Sequence, residues 1–86
     1  MAIKAITTDS FRDDVLKTRK PVLIKFWAPW CGYCRALAPA LESIEKQYES
    51  LISVGRVNFD TETALVRRYN IHALPTLLLF INGAVA

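Results

Sequence analysis

Metal-ligating residues are scarce in this chain. It has two cysteines and one histidine among 86 residues. A structural zinc site needs four ligands, so two thiols and a distant His72 predict no metal, and no cofactor motif suggests another group. Long apolar runs are missing too. No stretch approaches the roughly 20 residues that span a bilayer, which argues against a membrane partner. The start, Met1-Ala2-Ile3-Lys4, has no extended apolar core followed by a cleavage site, so the expected location is cytoplasmic. A strong excess of one charge is also lacking. The net charge is +3, and the basic residues are scattered, with only Arg19-Lys20 and Arg67-Arg68 adjacent. That pattern does not predict nucleic-acid binding. No repeat, low-complexity tract or linker divides the chain. A composition of 52% hydrophobic and 22% charged residues suits a globular protein. One domain covering 1–86 is expected, burying only about 60% of its unfolded surface.

The two cysteines stand three residues apart, in Trp27-Ala28-Pro29-Trp30-Cys31-Gly32-Tyr33-Cys34. An apolar run precedes them and a segment of helical periodicity follows. The pair therefore lies where a strand gives way to a helix. The first turn of a helix leaves backbone N–H groups without partners and carries partial positive charge. A thiolate there is stabilised, and the thiolate is the reactive form. This reading makes Cys31 the nucleophile at an exposed helix tip and Cys34 the resolving partner one turn further in. In a reducing compartment such a pair is a cycling redox couple. As a structural staple it closes too short a loop to constrain much.

Along the chain, Ala2 to Thr7 predicts a first strand. Thr8-Asp9-Ser10 offers N-caps for a helix that presents Phe11, Val15 and Leu16 and ends near Thr18. Val22 to Trp27 predicts a buried strand, interrupted by Lys25. From Tyr33 to Tyr48, Leu37, Leu41, Ile44 and Tyr48 recur at helical spacing and predict a core stripe, with Pro39 as a kink. Ile52 to Phe59 predicts a strand weakened at Gly55. Asp60-Thr61 can cap a short helix contacting the core through Leu65, Val66 and Tyr69, with Asn70 closing it in a left-handed conformation. A loop at His72 to Pro75 leads into an apolar strand, Thr76 to Ile81. Asn82-Gly83 is a hairpin signal with only three residues after it. The pattern is βαβαβαβ. Helical crossovers predict parallel pairing of the early strands, and the turn predicts an antiparallel last partner.

The octapeptide around the cysteines resembles the active-site signature of the thioredoxin family. Asp60 after Val54–Phe59, and Leu74-Pro75-Thr76 before the last long strand, resemble the same family's pattern, and the match runs from about Asp9 to Asn82-Gly83. The resemblance implies an α/β thioredoxin fold, three layers α/β/α around a mixed sheet, truncated at its C-terminal end. It implies dithiol–disulfide exchange on protein disulfide substrates, with thioredoxin reductase restoring the pair. It further implies a cis-proline at Pro75 facing the cysteines, and a substrate groove formed by Trp30, Gly32, Tyr33, Leu74, Pro75 and Thr76.

Three departures from the family pattern carry their own expectations. Tyr33 stands where a proline is common, which bears on the redox potential. Lys25 stands where a buried aspartate is usual. A neutral Lys25 can accept the proton of Cys34, and a protonated one stabilises thiolates, so Lys25 joins Cys31 and Cys34 as a catalytic residue. Its alternative is a lysine that buries its stem and sends its amine to solvent. Arg56 is expected to face Lys25, like charge against like. The family's last strand and C-terminal helix are absent, which predicts an open apolar edge at Thr76–Ile81 that a second copy can cover as a homodimer. The leading function is reduction of protein disulfides through a mixed disulfide. The alternatives are a thiol oxidase or disulfide isomerase, and a non-enzymatic scaffold of the same fold.

Overall fold

A computed structural model describes residues 3–86; Met1 and Ala2, and with them the start of the first expected strand, lie outside the described residues. Five strands form one sheet: β1 (Lys4–Ala5), β2 (Val22–Trp27), β3 (Ser53–Asn58), β4 (Thr76–Ile81) and β5 (Ala84–Val85). Their spatial order is β1-β3-β2-β4-β5. Two α-helices, α1 (Gly32–Gln47) and α2 (Thr63–Arg68), and a π-helical turn at Arg12–Leu16 complete the elements of the described residues.

β1 and β2 both run parallel to β3, as crossovers require. Parallel pairing stops there. β4 also follows a helix, yet it runs antiparallel to β2, with Phe26 opposite Thr76. The reason is the path of the chain. α2 is only six residues long, and the segment after it brings the chain back at the end of the sheet where β3 left. That end holds Trp27, Asn58 and Thr76 together, and the cysteine loop leaves β2 at the same place.

The sheet's two faces are covered unequally. Val22, Ile24 and Phe26 of β2, Val57 of β3 and Phe80 of β4 pack on one face with Ile6, Phe11, Val15, Leu65 and Ile71. Phe11, Tyr69 and Phe80 meet there in tilted and edge-to-face contacts. Each fully buried side chain of this size contributes about 1.5–3 kcal/mol. α1 lies over the other face, beside Lys25 and Trp27, giving three layers. It covers that face incompletely. Leu41 is buried, but Leu37 and Ile44 are only half-buried and Tyr48 is exposed. Leu77, Leu79 and Ile81, which alternate with Leu78 and Phe80, are exposed as well. The near-continuous apolarity of β4 thus corresponds to one buried face and one open face.

Several local expectations need correction. The helix expected up to Thr18 is a single π-helical turn closed by Lys17 N–H donating to Arg12 C=O. Its N-cap is Phe11, without a side-chain cap. Thr7 and Ser10 instead satisfy each other, each backbone N–H donating to the other's hydroxyl. Gly55 is a packing requirement, because a Cβ there would lie 2.7 Å from Ile6 Cγ1. α2 is N-capped by Glu62, without a side-chain cap bond, so Asp60 is free for another task. Glu62 accepts from the N–H and hydroxyl of Thr8, tying the first loop to α2. Asn70 is left-handed as expected, and Asn82 and Gly83 both take positive φ, as a tight hairpin turn requires. The edge of β4 is not wholly bare, since Phe80 and Ile81 pair with Val85 and Ala84. Among the described residues, Thr76 to Leu78 have no strand partner on that side.

Candidate functional site

Strand β2 ends at Trp27, and Ala28-Pro29-Trp30 turn the chain into α1. Cys31 is the N-cap of α1, with extended backbone, and its sulfur accepts a hydrogen bond from the Cys34 N–H at 3.1 Å. One of the orphan donors of the first helical turn is thereby aimed at the outer sulfur. Cys31 and Cys34 are joined as a disulfide. The pair packs with Ala28, against Trp27, Phe59 and Leu74. Cys31 is less open than a helix tip suggests: it is 5% exposed and Cys34 2%. Burial arises because Leu74 and Phe59 arrive from the other two chain segments at this end of the sheet.

Trp30 is the exposed wall, at 63%. Its indole N–H donates to both carboxylate oxygens of Asp60, at 3.2 and 3.1 Å, and its ring meets Phe59 edge-to-face. Asp60 is held by its own N–H donating to Asn58 Oδ1. Sequence reasoning assigned Asp60 to helix capping and missed this tether, since nothing in the spacing links positions thirty residues apart. Arg35 donates to the carbonyl of Pro29 at 2.6 Å and fastens the loop to the helix. Gly32 and Tyr33 open α1 and are exposed. A Cβ on Gly32 would meet nothing nearer than 3.9 Å, so the chain's own packing does not demand glycine there.

The Leu74–Pro75 peptide is cis. Leu74 packs on the cysteine cluster, Pro75 precedes the first residue of β4, and the Thr76 hydroxyl donates to the Ala73 carbonyl. His72 is exposed in the preceding loop.

Lys25 is buried, at 6% exposure. It pairs in register with Arg56 on β3, whose guanidinium lies 5.4 Å over the Trp27 ring. Burial pushes the Lys25 ammonium below its ordinary pKa, and the like charge of Arg56 adds to this, opposed by Glu42. Lys25, Trp27, Cys34, Arg35, Ala38 and Arg56 line one cavity. Lys25 thus shares a cavity with the inner cysteine.

The family profile described as Thioredoxin matches residues 2–86. The chain belongs to the thioredoxin family. It is 40% identical to a thioredoxin of Porphyra purpurea over 83 residues, 96% of this chain and 78% of that one. It is 42% identical to thioredoxin 1 of Synechococcus elongatus over 84 residues, with the same two shares. With a thioredoxin of Thiocapsa roseopersicina it shares 45% identity over 78 residues, covering 91% and 86% of the two chains. The layered mixed sheet is the thioredoxin fold, and the Cys31–Cys34 pair makes the protein a dithiol–disulfide oxidoreductase of the protein disulfide reductase class.

Proposed function

We propose that Cys31 is the attacking thiolate and Cys34 the resolving thiol in the reduction of protein disulfides. The observation that carries the assignment is the helix amide aimed at the Cys31 sulfur. The Cys31 thiolate attacks a substrate disulfide, forming a Cys31–substrate bond and expelling one substrate thiolate. Cys34 then gives its proton to neutral Lys25, attacks the Cys31 sulfur, and releases the second substrate thiolate. Two electrons pass from the cysteine pair to the substrate. Burial of Lys25 beside Cys34 supports its role as proton acceptor, because a lowered pKa populates the neutral amine.

An extended substrate segment lies between exposed Trp30, Gly32 and Tyr33 on one side and Leu74, Pro75 and Thr76 on the other. Both groups flank the cysteine cluster at the same end of the sheet. Thioredoxin reductase is the proposed source of electrons, the cytoplasm the proposed location, and electron transport in cell redox homeostasis the proposed setting. The unpaired stretch Thr76–Leu78 and the open side chains Leu77, Leu79 and Ile81 support a homodimer formed along β4.

The direct test is insulin reduction with dithiothreitol as electron donor. Cys31→Ser should abolish turnover, and Cys34→Ser should accumulate a mixed disulfide through Cys31. Undiminished activity in Cys31→Ser would overturn the assignment. A second reading, as an oxidase or isomerase, draws on the cations Lys25, Arg35 and Arg56 around Cys34. Stabilised thiolates make a pair more oxidising. Equilibration with glutathione separates the two readings: a strongly reducing potential eliminates the second.

A further inference from the structure

We infer that the cavity between α1 and the β2–β3 pair is a binding site for a small oxyanion. It has a volume of about 180 Å³ and is lined by Lys25, Arg35, Arg56, Trp27, Ala38 and Cys34. Sites for drug-sized ligands run to about 300–1,000 Å³, so this one suits a group of phosphate or carboxylate size. Three of its six lining side chains are cations, and none is a carboxylate.

The decisive member is Lys25. Its side chain is more than nine-tenths buried, and it makes no hydrogen bond or ion pair among the described residues. A buried ammonium without a partner is costly. The neighbouring charges do not supply one. Arg56 repels it, and Glu42, exposed on α1, attracts it without forming an ion pair among the described residues. The other two cations are already engaged on their own account, Arg35 at the Pro29 carbonyl and Arg56 over the Trp27 ring. Those contacts hold both guanidinium groups at the rim, where each retains free N–H donors. An oxyanion seated against Lys25 favours the protonated form of its amine and meets the two guanidinium forks beside the Trp27 ring.

Occupancy bears on the inner cysteine. The bound anion cancels the positive field beside Cys34, so it opposes thiolate formation there. By linkage, thiolate formation weakens the anion. Binding itself is a property of the oxidised chain and does not depend on the proposed thiol chemistry.

The test is a titration of the oxidised full chain, followed by ¹H–¹⁵N NMR, with inorganic phosphate and separately with succinate. Sodium chloride at matched ionic strength serves as the reference. The expected result is saturable shifts at the Trp27 indole, the Cys34 and Ala38 amides and the Arg35 and Arg56 side chains. Lys25→Met and Arg56→Gln should each weaken binding at least about tenfold, and Glu42→Gln should strengthen it. Tighter binding of phosphate identifies a free inorganic ligand, and tighter binding of succinate an organic acid. Unsaturating shifts that match chloride, or an affinity unchanged in both Lys25→Met and Arg56→Gln, overturn the proposal even if disulfide reduction is intact.

Discussion

Lys25 is the residue at which cost and use diverge most. Its ammonium is buried and faces Arg56, so its folded pKa lies below the ordinary value of 10.5. The unfolded chain then holds the proton more tightly. Stability is full above about 10.5, declines as the pH falls toward the folded pKa, and stays reduced below it. Lys25→Met should therefore be more stable than the parent at pH 7, by on the order of 1 kcal/mol, with the gap closing as pH 10.5 is approached. Urea unfolding of both oxidised proteins at neutral and alkaline pH measures this. A constant gap would mean that the amine is solvated. Asp60 is the opposite case, a carboxylate that holds an exposed aromatic in place. Asp60→Ala should free the Trp30 ring, lowering its fluorescence anisotropy and reducing kcat/KM for protein disulfides several-fold, with little loss of stability because both groups are accessible. Unchanged anisotropy would show that Phe59 alone fixes the indole.

At the scale of elements, two close approaches set the fold. Gly55 lets Ile6 sit against β3. Gly55→Ala should cost about 1–3 kcal/mol through overpacking, seen as a lowered urea midpoint, and a neutral result would mean that Ile6 moves aside freely. Glu62 joins the N-terminal loop to α2. Its hydrogen bond from the Thr8 N–H, with help from Thr61, holds its carboxyl below the ordinary 4.5. Its contribution is complete above about 4.5 and is lost as the pH drops through the folded value. Glu62→Gln should flatten the acid limb of the stability curve, and an unaltered acid limb would contradict the linkage. Much of this architecture was legible in the chain. Continuous apolarity marked β2 and β4, helical spacing marked α1, and Asn82-Gly83 marked the hairpin. What escaped were choices made by partners distant in sequence. The Thr8–Ser10 region carries every cap signal of an α-helix, yet Thr7 and Ser10 bond each other, Thr8 bonds Glu62, and the segment that follows, Arg12–Leu16, forms one π-helical turn. Asp60 has the chemistry of a cap, and Trp30 claims it. The direction of β4 depends on the length of α2 and on the return path behind it, which periodicity does not report.

Across the whole molecule, one end of the sheet gathers three chain segments: the loop after β2, the Phe59–Asp60 turn after β3, and the cis-proline before β4. The cysteine pair sits in the middle of them, and the dipole of α1 points at its outer member. Along β4, the face of the sheet that carries Lys25 leaves Leu77, Leu79 and Ile81 open. If these make a dimer, Leu77→Thr with Leu79→Thr should shift the protein to monomer in size-exclusion chromatography at high concentration, and a monomeric parent would rule the dimer out. Stabilisation of the Cys31 thiolate is measured most directly by following thiolate absorbance against pH in the reduced Cys34→Ser protein, where Cys31 is the one remaining thiol. The helix amide and dipole predict a midpoint at least about one unit below the ordinary thiol value of about 8.5. A midpoint at or above about 8.5 would contradict the account.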